Sequence, residues 1–108
     1  EDTVIYTIEG PFFFGVAEKI ERALAATNTD PKHIIFRLSH VPFIDMTGLE
    51  TFMEVIEQFH QRGVDVTLCE ANEKIAKKFK YKIEQIQLGE EGVRLESGRA
   101  EEINGKTN

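Results

Sequence analysis

Residues 33–39 read HIIFRLS, a run in which Ile34, Ile35, Phe36 and Leu38 occupy both even and odd positions. Successive side chains of a strand point to opposite faces, so this run requires cover on both sides of its sheet. Soon after it the period changes. Leu49, Phe52, Met53, Ile56 and Phe59 recur at the spacing of a helix that buries one stripe. A twice-covered strand followed by an amphipathic helix points to a layered α/β fold.

The remaining segments alternate in the same way. Residues 4–8 predict a strand ended by Gly10-Pro11, and residues 12–14 predict a second short extended piece. Val16, Ala17, Ile20, Ala23, Leu24 and Thr27 mark one face of a first helix, with Glu18, Lys19, Glu21 and Arg22 pointing outward. The second helix spans about residues 48–61, and Gly63 stands where it should end. Val64, Val66 and Leu68 alternate with Asp65 and Thr67, predicting a strand with one polar face. A third helix starts near Asn72 and carries Ile75, Ala76 and Phe79, while Ile83 and Ile86 either prolong it or form a short edge strand. Beyond Leu88, glycines and charges predominate. The expectation is one α/β domain over residues 1–96, a small mixed, mainly parallel β-sheet packed against amphipathic helices, with a flexible tail over residues 97–108.

Composition narrows the function classes. A chain of 108 residues can bury one core without disulfides or metal. No stretch approaches ~20 consecutive apolar residues, so none spans a bilayer. The opening EDTVIYTIEG has neither the basic start nor the apolar run of a signal peptide, and the missing initiator Met fits either a fragment or a processed chain. The lone Cys69 excludes an internal disulfide and a cysteine-based zinc cage, and its place near the end of an apolar strand predicts a reduced, half-buried thiol in a cytosolic protein. A net charge of −6 argues against nucleic-acid binding. His33, His40 and His60 lack a zinc-binding spacing, and Glu54 and Glu57 lie on the outward side of their helix. No catalytic residue, metal or cofactor is expected.

The chemistry of interest gathers between the inner strand and its helix. Sites in such sheets form beyond the carboxyl ends of the strands, where residues 39–46 fall. Thr47-Gly48-Leu49-Glu50 fits a capping box, predicting that the Thr47 hydroxyl caps the helix while Glu50 reaches back. The same hydroxyl is a candidate phosphosite. Helix amino termini tolerate anions, so a phosphate beside Asp45 would act on a partner, repelling an acidic or apolar docking surface. Pro42, Asp45, Met46, Thr47, Gly48 and Leu49 are the candidate partner- or anion-binding loop, sharing a crevice with the residues after Leu68. Phe12, Phe13 and Phe14 cannot all face one core, which makes them a candidate interface or a lid over the first helix.

The order strand, GPFFFG, amphipathic helix, HIIFRLSHVPFIDMTGLETF, VDVTLCEAN and short final helix resembles the STAS domain, named for sulfate transporters and anti-sigma factor antagonists, over about residues 3–88. Its most specific part is Asp-x-Thr-Gly-Leu at residues 45–49. In the antagonists that this chain resembles, a partner kinase phosphorylates the hydroxyl residue before the glycine, which implies Thr47, with Asp45 at the acidic position. Those antagonists usually carry a polar, acid-containing turn after the first strands. GPFFFG at residues 10–15 and VPFID at residues 41–45 are instead similar to the cytosolic domain at the carboxyl end of SulP-type anion permeases.

The resemblance implies a regulatory and protein-interaction domain of a SulP-type inorganic anion transporter, at the cytoplasmic face of the inner (plasma) membrane. Its partners would be the transmembrane domain of the parent permease and a cytosolic regulatory protein or kinase. The alternative is a stand-alone anti-sigma factor antagonist switched at Thr47. A third reading, nucleotide or anionic-metabolite binding, rests on Lys74, Lys77, Lys78, Lys80 and Lys82, without any Gly-rich phosphate loop. A solvated helix face is the commoner reading of such lysines, and in a permease they would instead face anionic lipid headgroups.

Overall fold

The computed structural model describes residues 3–10, 18, 19, 22, 31–86 and 93–107. Its strands are β1 (Thr3–Thr7), β2 (His33–Arg37), β3 (Asp65–Cys69) and β4 (Val93–Glu96), paired in parallel in that spatial order. Helix α1 (Met46–Gln61) joins β2 to β3, α2 (Glu73–Ile86) lies between β3 and β4, and α3 (Ala100–Thr107) follows β4. Right-handed crossovers between consecutive parallel strands put α1 and α2 on one face of the sheet. Glu18, Lys19 and Arg22 are helical and exposed, and the rest of the predicted first helix lies outside the described residues.

Strand β2 has the double cover that its sequence demands. Its even residues Ile34 and Phe36 pair with Val66 and Leu68 in register and join the α1/α2 side, with Phe52, Ile56, Ile75 and Phe79. Tyr6, Phe36, Phe52 and Phe79 form a consecutive edge-to-face series, with ring centroids 6.2, 5.0 and 5.7 Å apart. Each such contact adds ~0.5–1.5 kcal/mol beyond area burial, so this series ties β1, β2, α1 and α2 together. On the other face, Ile35 and Cys69 meet Ala100 and Ile103 of α3 in a second, smaller cluster.

The end of α1 follows from one glycine. Gly63 has φ +81°, its amide donates to His60 O at 3.0 Å, and the Val64 amide donates to Phe59 O at 2.9 Å. This is a Schellman ending, in which the left-handed residue lets two terminal carbonyls find donors. Val64 and Phe59 are both buried, so the turn also delivers the chain into the core before β3.

Three expectations change. Val93–Glu96, not expected as a strand, pairs with residues 66–69 as the edge strand β4. The segment expected to be a flexible tail forms α3, with Ala100 fully buried and Ile103 nearly so. Thr67 does not lie on a polar face: it is buried, and its hydroxyl lies 2.7 Å from His33 Nε2. Ile83 continues α2 and is partly buried against the main core.

Candidate functional site

The connection from β2 to α1 is anchored from beneath. Leu38, Val41 and Ile44 are buried, and the amides of Leu38 and Val41 donate to Cys69 O and Leu38 O at 2.9 and 3.1 Å. Side chains that follow β3 hold the loop backbone. Asn72 Nδ2 donates to Pro42 O at 3.2 Å, and Lys78 Nζ donates to Ile44 O at 2.7 Å. Asn72 Oδ1 also accepts from the Ile75 amide, so one residue caps α2 and grips the neighbouring loop. The predicted meeting of residues 39–46 with those after Leu68 is thus a seam bridged by Asn72 and Lys78.

Asp45, not Thr47, caps α1. The Asp45 backbone is extended (φ −90°, ψ 176°), and its Oδ1 accepts from the Gly48 amide at 2.8 Å. Thr47 is therefore the second residue of the helix, already inside it and exposed. Two consequences follow for the candidate loop. The Asp45 carboxylate occupies the amino-terminal position that a bound anion would use, so the fold supplies its own anion there. Leu49 is 4% exposed and belongs to the core, which removes it from any contact surface.

Pro42, Asp45, Met46 and Thr47 are exposed, and Gly48 is half-buried. Sequence reasoning passed over Phe43, which is 56% exposed beside Met46 at 62%. Val41 and Ile44, on either side of the exposed Pro42 and Phe43, are the buried anchors of this loop. Phe12, Phe13 and Phe14 lie outside the described residues.

The sheet's other face carries a polar network. Arg37 Nε lies 3.2 Å from Glu70 Oε2, and Arg37 Nη2 hydrogen-bonds Glu101 of α3. Glu70, in the left-handed region at φ 61°, also accepts from the Ala100 amide at 2.8 Å, capping α3 from another element. A hydrogen bond from its own amide, followed by the Arg37 guanidinium, holds the Glu101 carboxyl below its usual range, while the bond to Glu101 raises Arg37. An arginine inside an apolar strand was the available signal for this network.

Burial lowers the pKa of His33, with Arg94 adding to the effect and Asp65 opposing it. Cys69 is fully buried, where a half-buried thiol was expected, and burial followed by the charge of Glu70 pushes its pKa to about 11. Such a thiol is a packing group at neutral pH. His40 is exposed and pairs with Glu9 at 3.0 Å. Glu54 and Glu57 are exposed. Among the described residues no group of three or more His, Cys, Asp or Glu is arranged to hold a metal ion, and no helix is long and apolar enough to cross a membrane.

A parallel sheet with α1 and α2 on one face, and an Asp-x-Thr-Gly-Leu turn opening α1, is the arrangement of a STAS domain. The chain belongs to that family, whose profile matches residues 1–95. Among solved structures it is similar to the SulP transporter STAS domain from Vibrio cholerae, at 37% identity over 87% of this chain and 73% of that one, with a TM-score of 0.72. A sulfate transporter family protein from Wolinella succinogenes is similar at 34% identity, over 86% of this chain and 76% of that one, with a TM-score of 0.66. No curated protein matches the chain. Helix α3 lies beyond the residues that the family profile matches.

Proposed function

We propose that this chain is the cytosolic regulatory domain of a SulP-type sulfate or related anion transporter, acting by binding and not by catalysis. The observation that carries this reading is the 37% identity with a SulP transporter STAS domain across 87% of the chain. The exposed turn formed by Pro42, Phe43, Asp45, Met46 and Thr47 is the contact surface for the membrane-embedded part of the transporter or for a cytosolic regulator. The anchoring of this turn by Ile44, Asn72 and Lys78 supports the assignment, because a preorganised loop loses less entropy on binding.

Deleting the domain from the polypeptide that contains it, with membrane insertion verified, should change sulfate uptake. Unchanged uptake at equal expression refutes the regulatory reading. Within it, Thr47 is the modification point. A phosphate there would stand beside the Asp45 carboxylate and turn an apolar contact surface strongly anionic. Mass spectrometry of protein from its native cells should find phosphate on Thr47, and Thr47→Glu should bind the partner more weakly than Thr47→Ala. Absence of phosphate together with equal binding removes the switch, including the free-standing antagonist version of it.

A further inference from the structure

We infer that the outer face of α2, together with the adjoining tip of the β2–α1 loop, is a docking surface for anionic lipid headgroups. Lys74, Lys77, Lys78 and Tyr81 follow i, i+3, i+4, i+7 spacing and are all exposed, so they form one stripe along the helix. Tyr81 is 64% exposed. Phe43 and Met46 belong beside this stripe: Pro42 O and Ile44 O, which flank Phe43, accept from Asn72 and Lys78, and Glu50, one turn after Met46, pairs with Lys82 at 3.8 Å. The exposed large apolar side chains among the described residues are Phe43 and Met46 on the loop tip and Tyr81 on the stripe itself.

Charge complementarity selects the occupant. The chain carries a net charge of −6, yet three lysines stand on this stripe; Lys78 holds Ile44 O, so Lys74 and Lys77 are the two that present their ammonium groups, while Lys80 lies on the next row of the helix with Glu73 and Glu84. Separate exposed apolar side chains beside a lysine stripe suit a headgroup layer, where each can insert on its own while the Lys74 and Lys77 ammonium groups meet phosphates. Clusters of basic residues on an amphipathic helix draw such surfaces electrostatically. The inference rests on the transporter reading for its setting, since a domain tethered to a permease is held near a bilayer. Its test does not depend on transport.

The 108-residue chain is floated with phosphatidylcholine vesicles containing about a third phosphatidylglycerol, and with phosphatidylcholine alone, at about 50 mM and about 500 mM salt. Binding is expected only with the anionic vesicles and only at the lower salt. Lys74→Glu with Lys77→Glu should weaken it about tenfold or more. The charge-matched pair Arg94→Glu with Arg99→Glu, on strand β4 and just ahead of α3, should retain most of it. Phe43→Ser with Tyr81→Ser should also weaken binding, and far-UV circular dichroism verifies that each variant is folded. No binding to anionic vesicles at the lower salt overturns the inference, as does equal loss in the two charge-matched pairs. Tighter binding to poly-glutamate than to the vesicles overturns it in favour of an acidic polypeptide partner.

Discussion

Replacing Asp45 by Ala tests the part of the site on which sequence and structure disagree. The carboxylate accepts from the Gly48 amide at 2.8 Å, in the geometry of a helix cap. Losing such a cap costs ~1 kcal/mol, and losing the negative charge at the helix amino terminus adds ~0.3–1 kcal/mol. Asp45→Ala should therefore destabilise the domain by ~1–2 kcal/mol, which lowers Tm by ~4–8 °C per kcal/mol in a chain of this size. Asp45→Asn keeps an acceptor and loses only the charge, so its cost should be ~0.5 kcal/mol.

Thr47→Ala should go the other way. Thr47 is exposed in the first turn, where Ala is the better helix former, so the change should be neutral or stabilising by a few tenths of a kcal/mol. Urea unfolding with unchanged m-values provides the measurement. A Thr47→Ala variant that loses ~1 kcal/mol while Asp45→Ala loses nothing would restore the capping box and refute the assignment of Asp45. The test also protects the phosphosite reading, since Thr47 variants that leave stability intact report on binding alone.

Other consequences are as direct. His33 is buried with its pKa held below 6.5, so the folded state binds the proton less well than the unfolded chain; stability is complete above pH 6.5 and falls as pH drops toward the folded-state value. Urea midpoints should decline between about pH 7 and 5, and His33→Gln should flatten that slope. Cys69, pushed to about 11, should hold roughly a hundredfold less thiolate than a free thiol of pKa 9.0, so dithionitrobenzoate should react with it only on unfolding. Ile103→Ala should cost ~2 kcal/mol and speed hydrogen exchange throughout α3, whereas unaltered exchange there would show that α3 does not depend on this contact.

Elements with strong local pattern were legible in advance. The two-sided run at residues 33–39, the α1 stripe and Gly63 each carry their structural meaning within a few neighbouring residues. Strand β4 does not. It has four residues, and of these Val93 is buried and Leu95 half-buried, so its strand character comes from pairing with residues 66–69, far away in the chain. Helix α3 likewise shows buried side chains at Ala100 and Ile103, too few to define a period, and its start is capped by Glu70 from the end of β3. Within the loop read as a candidate surface, Leu49 is core and Phe43, which was passed over, stands exposed, because burial there is settled by how the loop is anchored.

Asp45 and Thr47 show where this boundary falls. Both are good capping residues, and Thr47-x-x-Glu50 fits a capping box, so local chemistry alone favours starting the helix after Thr47. Burial of Val41 and Ile44, with Asn72 and Lys78 holding the carbonyls of Pro42 and Ile44, brings the chain to its helical turn earlier and gives the cap to Asp45. The sequence by itself determined that a buried strand must lead into an amphipathic helix through a polar Asp-x-Thr-Gly turn, because periodicity and turn chemistry are local. Only the tertiary structure decided which side chain caps, which stand exposed and what covers the second face of the sheet, since those outcomes depend on contacts between residues about thirty or more positions apart.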